Sequence, residues 1–308
     1  MRTNDTRLAL VEALREGPAT GTALAGRLGV PPATVAEQVE ALREEGFAVP
    51  HEEENGYRLE SVPGTSPTTL GRELEGYTVE HHDRLDSTNA RARALAEAGE
   101  RGVVVVADEQ TAGRGRRDRE WTSPAGGVYL SVVASSSVPV ARAPLFTLAA
   151  AVATARAARE AGVDAHIKWP NDVVLAGERP EDYRKLAGVL TEMQGEGGAV
   201  DWLVVGVGVN VGDPAVEGAA GLPADTDRRA FLRRLLGEFR GLGGSPEAVL
   251  PAWRELALTL GQRVRVDTPE GPVEGEAVDV EAPGALLVDT GGGVVRVTAG
   301  DCEHLRPV

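Results

Sequence analysis

Val103-Val-Val-Val-Ala107-Asp-Glu-Gln110-Thr-Ala-Gly113-Arg114-Gly115-Arg116-Arg117 is the stretch around which the rest of the chain is arranged. Its first part is a β-branched run without polar relief, which predicts a strand buried on both faces. Its second part is a basic loop. Gly113 and Gly115 let the backbone turn tightly and expose successive N–H groups to an anion. Arg114, Arg116 and Arg117 add planar donors suited to carboxylate or phosphate. Trp121 to Gly127 and a second strand, Val128 to Val133, follow, so the loop bridges two strands. Taken alone, Gly-Arg-Gly-Arg-Arg also fits a solvated basic loop or a segment that touches nucleic acid.

The bulk properties narrow the choice. At 308 residues and 42% hydrophobic, the chain has room for two or three globular domains. It contains no apolar run of membrane-spanning length, and Met1-Arg-Thr-Asn-Asp5 lacks a signal-peptide pattern, so a cytoplasmic protein with no membrane partner is expected. A single cysteine, Cys302, excludes an internal disulfide and a cysteine zinc site. The net charge is −15, and the chain holds only two lysines, Lys168 and Lys185. An acidic, lysine-poor surface points to a halophilic protein. It also makes each surviving lysine informative, since an ammonium does chemistry that a guanidinium does not.

Upstream, helices are predicted up to Gly17-Pro18, from Thr20 to Leu28 and from Pro31 to Glu45, each closed by a glycine or proline. Phe47-Ala-Val49 and Gly56 to Leu59 read as a hairpin with an acidic tip, completing a winged helix-turn-helix. Thr34, Gln38 and Arg43 would face DNA. Residues 1–65 carry six arginines against eleven acids, a balance that weakens phosphate contacts and leaves open a module kept for dimer contacts.

After a Pro/Ser/Thr-rich linker at 61–69 comes a strand from Tyr77 to His82, then Asp86-Ser-Thr-Asn89 and a helix from Ala90 to Ala98. Ser87 or Asn89 suits a helix cap, and Ser-Thr-Asn at a strand-to-helix junction also suits a polar ligand. An alanine-rich helix at 144–162 leads to Lys168-Trp-Pro-Asn-Asp172, which sets a cation, a large ring and a carboxylate within one turn. The second lysine opens the strand Arg184-Lys-Leu-Ala-Gly188. In the strand Trp202 to Val211, Gly206 and Gly208 share one face, which predicts close approach of ligand or backbone. Helices at 227–242 and 245–258 and a set of short strands with glycine turns complete the chain.

This ordered set resembles the bifunctional biotin protein ligase and biotin operon repressor family. The resemblance implies an α+β fold with a winged helix-turn-helix at 1–65, a mixed-sheet biotin/lipoate ligase-type catalytic domain at 70–258, and a small SH3-like β-barrel at 259–308. It implies that biotin and ATP give biotinyl-5′-AMP, and that the biotinyl group then passes to a lysine of a biotin carboxyl carrier protein of an acetyl-CoA or related carboxylase. Ser87, Thr88, Asn89 and Gln110 would surround the ureido head, with Gly113, Arg114, Gly115, Arg116, Lys185, Gly188, Gly206 and Gly208 along the rest of biotin. Arg116, Arg117, Trp121, Lys168, Asn171, Asp172, Asn210 and Arg306 would lie on the ATP side. Arg116, Lys185 and Lys168 would carry the chemistry, cancelling the repulsion of two anions and stabilising charge at the α-phosphorus. Mg2+ would accompany ATP, without ligands assignable from spacing. A homodimer and operator DNA as a partner are further implications. A loop of this charge in an empty site would repel itself, so Gly113 to Arg119 is expected to be mobile without ligand. No aromatic residue follows Asn210 in position to stack on adenine. Two other readings remain: a lipoate-type protein acyl ligase, and a DNA-binding regulator that senses biotin without ligase turnover.

Overall fold

The computed structural model describes the whole chain except residues 1–2, 54, 64–65, 67, 69–73, 75, 135–138, 180, 197 and 306–308. Most of the expected linker, the expected domain start at Leu70 and the expected phosphate contact Arg306 therefore lie outside the described residues. The chain divides into two compact units, Met1–His81 and His82–Val308.

In the first unit, helices α1 (Thr3–Arg15), α2 (Gly21–Leu28) and α3 (Pro32–Glu44) surround a core that includes Leu10, Leu14, Leu24, Val35, Val39, Leu42 and Phe47. Thr20 caps α2 by accepting from the Ala23 N–H at 3.3 Å, and Gly29 ends it in the left-handed conformation. The wing is shorter than expected and displaced. Strands β1 (His51–Glu52) and β2 (Gly56–Tyr57) pair antiparallel, whereas the expected first strand makes a single bridge, Ala48 to Ser61. Phe47 and Val49 are buried in the core there, so the ladder starts only beyond them.

Two residues expected to face DNA are corrected. Gln38 is buried and accepts from Arg7 Nε at 3.0 Å. Arg43 turns back to donate to the Val49 carbonyl through Nε at 3.0 Å and Nη2 at 2.6 Å. Their polar atoms hold α3 to α1 and to the wing, while Thr34 stays half-buried near the start of α3.

Strand β3 (Thr78–His82) runs up to the boundary between the two units. The second unit is built on a sheet in the order β4-β5-β9-β8-β7-β6, with strands β4 (Val103–Ala107), β5 (Val128–Val133), β6 (Ala165–Lys168), β7 (Asp172–Leu175), β8 (Arg184–Glu196) and β9 (Ala199–Val209). From β4 to β6 every pair is antiparallel, and single parallel bridges such as Lys185 to Ala219 join loops to strands. The valine run of β4 is buried throughout, as its sequence predicts. Helix α4 (Thr88–Glu97) and helix α5 (Ala143–Glu160) lie on opposite faces. Asn89 of α4 reaches Glu192, whereas Thr147 of α5 meets Thr191, one residue earlier on β8 and so pointing the other way. The alanines of α5 let it pack closely on the sheet, and α6 (Arg228–Leu242) and α7 (Pro246–Leu256) pack on α5 in turn. Among the described residues no helix is long and apolar enough to cross a membrane.

The last five strands are β10 (Arg263–Thr268), β11 (Gly271–Glu281), β12 (Ala285–Asp289), β13 (Val294–Val297) and β14 (Asp301–His304), in the order β13-β12-β11-β10-β14. Instead of the expected closed barrel they form an antiparallel sheet with β13 and β14 at its two edges. Four flat interstrand spacings would separate those edges by about 19 Å. The chain from Val297 to Asp301 reaches about 14 Å at most, so the sheet must curl strongly without closing. Trp169 ties it to the large sheet. The Trp169 N–H donates to Thr259 Oγ1 at 3.0 Å and its indole Nε1 to the Gly284 carbonyl at 2.9 Å. Thr259 Oγ1 also lies 3.1 Å from His304 Nε2.

Thr259 is wholly buried. Replacing it by Val leaves the Trp169 N–H without an acceptor, and the expected cost is about 1–3 kcal/mol. Urea unfolding of Thr259→Val should show a lower midpoint with an unchanged m-value.

Candidate active site

One ladder row crosses five strands of the large sheet: Tyr129, Gly208, Gly188, Asp172 and Lys168 are paired in succession. Directly paired residues present their side chains on the same face. The row therefore sets an ammonium and a carboxylate beside a floor of two glycines. Lys185 would point to the other face in a regular ladder, being three residues from Gly188. A β-bulge corrects this: Val173 pairs with Ala187 but Val174 with Lys185, so one residue is skipped and Lys185 returns to the face of Gly188. Its Nζ lies 2.7 Å from Asp172 Oδ1 and 5.1 Å from the centre of the Trp121 ring. Asn210 holds the bulge, since its N–H donates to the Leu186 carbonyl at 3.0 Å and its Nδ2 to those of Lys185 and Ala220 at 3.3 and 3.1 Å.

Above this floor is a cavity of about 700 Å3 that brings together nearly all the residues singled out from sequence. Ser87, Thr88, Asn89 and Gln110 line one side, and Lys168, Asn171, Asp172, Lys185 and Asn210 line another. Gly188, Gly206 and Gly208 form the floor, with Trp121 against it. The glycines make room for side chains. A Cβ at Gly206 would sit 2.0 Å from Asn89 Oδ1, and one at Gly208 would sit 2.5 Å from the Trp121 indole nitrogen. Gly113 is an exception to the expectation: it lies beneath the loop rather than on the cavity wall, where a Cβ would meet the Trp121 carbonyl at 2.4 Å.

At the α4 end, Ser87 Oγ caps the helix by accepting from the Ala90 N–H at 3.4 Å. The Thr88 N–H donates to Gln110 Oε1 at 2.8 Å, and Gln110 Nε2 donates to Ser123 Oγ at 2.9 Å. Lys168 is buried, and its Nζ stands 5.0 Å from the centre of the Tyr183 ring, a cation–π contact. Trp169 fills the core beneath, so Lys168-Trp-Pro-Asn-Asp172 both anchors the C-terminal sheet and furnishes the site.

The basic loop covers the cavity. Arg116 reaches inward, donating to Asn171 Oδ1 and to the Gly300 carbonyl, each at 3.0 Å. Burial holds the Arg116 guanidinium below its ordinary value, opposed by Asp301 and Asp172. Arg117 sits in the left-handed region with φ 54, an unfavourable conformation for a side-chain-bearing residue. It donates to Asp301 Oδ2 at 2.8 Å, and Arg119 donates to the same oxygen. Sequence reading missed Asp301, Tyr183, Ser131 and Glu192. Only Ser131, a lone hydroxyl inside an apolar strand, carried a local signal. Cys302 also lines the cavity, where burial pushes its thiol up to about 11, so it stays protonated at neutral pH.

Of the carboxylates that line the cavity, Asp172 is engaged with Lys185 and Asp301 with Arg117 and Arg119. Among the described residues they form no cluster of three that could hold a metal. An ion arriving on nucleotide phosphates would keep its ligands there.

A polar wall, scarce ammonium groups and an arginine loop on this sheet define a protein of the biotin/lipoate ligase class. The pattern of the Biotin/lipoate A/B protein ligase family matches residues 82–210, and that of the Biotin protein ligase C terminal domain matches residues 259–305. Residues 4–48 match the arsR family of bacterial regulatory proteins. The bifunctional ligase/repressor BirA of Bacillus subtilis is 33% identical, over 92% of this chain and 93% of its own length. The biotin–[acetyl-CoA-carboxylase] ligase of Mycobacterium tuberculosis is 38% identical over 71% of this chain and 86% of its own. A solved structure of the Aquifex aeolicus biotin protein ligase in complex with biotin and ATP aligns with a TM-score of 0.61 and 28% identity, covering 74% of this chain and 99% of that one. The chain belongs to the biotin protein ligase family.

The side chains of Arg117 and Arg119 are 50% and 68% exposed, so each pair with Asp301 is an exposed one worth about 0.2–1 kcal/mol. In Asp301→Asn, amide hydrogen exchange across Arg116 to Arg119 should quicken roughly two- to fivefold. Unchanged exchange would show that Asp301 does not hold the loop.

Proposed function

We propose that this chain activates biotin with ATP and transfers it to a lysine of a biotin carboxyl carrier protein. One observation carries the reading: Lys168, Lys185 and Arg116 converge on one cavity whose far side is a wall of uncharged hydrogen-bonding groups. Such a site suits a ligand with a neutral polar head and an anionic tail, set against a polyphosphate. In the first step a carboxylate oxygen of biotin attacks the α-phosphorus of ATP, and pyrophosphate leaves. In the second the acceptor amine attacks the acyl carbon, AMP leaves and the amine loses a proton. Lys185 would exchange its Asp172 partner for the incoming carboxylate. Arg116 would meet the charge that develops at the acyl-phosphate junction, and Lys168, Asn171 and Asp172 would lie on the nucleotide side. The loop would then shield the mixed anhydride from water. Homodimerisation, a cytoplasmic location, tolerance of concentrated salt and functional parts at 1–65, 70–258 and 259–308 belong to this reading, supported by the family resemblance and the acidic composition.

The DNA-binding reading has its own support, the regulatory-family match over residues 4–48. The exposed side of α3 carries Glu37, Glu40 and Glu44, so few phosphates would be neutralised. A gel shift on the DNA upstream of the protein's own gene should detect binding with a shallow salt dependence. A blank at every salt concentration would retire this half.

For the ligase half, pyrophosphate release with biotin and ATP should fall about 100-fold or more in kcat in Lys185→Ala and in Arg116→Ala. Lipoate should not replace biotin. Turnover with lipoate alone, or biotin binding without pyrophosphate, would favour one of the other two readings.

A further inference from the structure

The two lysines are held in different ways. Lys168 and Asp172 stand opposite each other in the ladder between β6 and β7, yet Asp172 Oδ1 lies 2.7 Å from Lys185 Nζ instead. Among the described residues Lys168 makes no ion pair and no hydrogen bond, although only 8% of it is exposed. Its Nζ lies over the Tyr183 ring, 5.0 Å from the centroid, and both residues line the cavity. We infer that Tyr183 is a positioning residue for the activation step: its ring face holds the Lys168 ammonium at the cavity with its charge uncancelled, free to meet the nucleotide phosphates. The inference rests on the ligase reading above and adds to that site the residue that aims one of its cations.

A ring face attracts a cation through its quadrupole and carries no net charge. A carboxylate in the same place would neutralise Lys168, repel the phosphates and have to be displaced before an anion could be met. An ammonium has three N–H donors, so a phosphate can bind it from the open side while the ring contact persists. The ring is itself fixed from two sides. Tyr183 follows Asp182 in the turn that joins β7 to β8, where Arg179 donates to both Asp182 carboxylate oxygens, at 2.6 and 3.0 Å, and the Asp182 N–H donates to the Arg179 carbonyl at 2.9 Å. Gly177 lets this turn close, because a Cβ there would sit 1.8 Å from the Asp182 carbonyl oxygen. On its other side the ring packs edge to face against His304, with centroids 5.4 Å apart, and His304 Nε2 lies 3.1 Å from Thr259 Oγ1. Thr259 also accepts the Trp169 N–H. The backbone next to Lys168 and the ring under its ammonium are thus anchored to one hydroxyl, and Lys168 gains a fixed direction without an ionic partner.

The test replaces Tyr183 by phenylalanines bearing no, two and three ring fluorines, which drain charge from the ring face at nearly constant shape. In pyrophosphate release by the full chain, Tyr183→Phe should keep most of the kcat/KM for ATP. Each step of fluorination should lower it, by about tenfold across the series, with KM for biotin unmoved. Tyr183→Leu should fall at least as far as the trifluorinated form, and the fluorinated series carries the test if Tyr183→Leu does not fold. A merely structural role would follow shape, so a kcat/KM for ATP that is flat across the series overturns the inference. A second readout needs no turnover. Because the chain has only two lysines, 13C labelling of lysine gives one Cε–Hε signal for each, assigned with Lys168→Arg. The Lys168 signal should be shifted upfield by the ring current and lose that shift in Tyr183→Leu, while the Lys185 signal stays in place. A Lys168 signal indifferent to Tyr183→Leu overturns the inference and leaves the ligase reading intact. A wild type that releases no pyrophosphate with biotin, whatever its lysine signals, sinks the ligase reading and with it the role given to Tyr183.

Discussion

The site depends on a matter of sheet register: which side chains stand in one row, on one face. Lys168 and Asp172 face the cavity because the turn at Trp169 to Asn171 pairs them across β6 and β7. Two more strands carry the row onward with glycine at each, which lowers the floor where Trp121 lies. A shift of one residue anywhere along it would turn the cations into the α5 interface, where a buried unpaired charge is costly. The bulge at Leu186 is where the β7–β8 ladder breaks step, and it is there that Lys185 is recovered to the same face. Asn210 and the backbone at Gly218 and Ala220 close around that break, so the irregularity is a held geometry rather than a slack one.

A cavity that gathers cations for anionic ligands has to remain stable before they arrive. Here each basic group has an internal partner of graded strength. Lys185 is paired with Asp172 at 2.7 Å in a partly buried place, Lys168 rests on the Tyr183 ring, and Arg116 is held by two oxygens that carry no full charge. Arg117 and Arg119 share Asp301 near solvent. The most exposed attachments therefore lie on the loop, and the more buried ones on the floor. The unfavourable φ at Arg117 lies in the same loop.

Much of this was legible in the order of residues. The buried valine strand, the scarce lysines and the paired glycines follow from alternation and composition, which are local properties. What escaped was non-local. Asp301 meets Arg117 from 184 residues away, and Glu192 meets Asn89 from 103 away, so no window of sequence contains either pair. Gln38 and Arg43 were read outward because the periodicity of α3 says nothing of Arg7 or of the Val49 carbonyl that claim them. A small barrel was expected from four short strands with glycine turns, and only the structure shows the fifth strand, β14, and the edges unjoined.

The acidic composition bears differently on the two units. Exposed attraction is screened within about 8–10 Å at ordinary ionic strength and over shorter distances in concentrated salt. A duplex-binding face that works by neutralising phosphates loses most under those conditions, and α3 with its exposed glutamates has little to lose. The ligase cavity is the opposite case. Lys168 is buried and Arg116 largely so, and their attraction for an anion acts through protein rather than through salt water. The chain's two lysines both line that cavity, where salt screens their attraction for an anion less than it screens the arginine–carboxylate pairs of the surface.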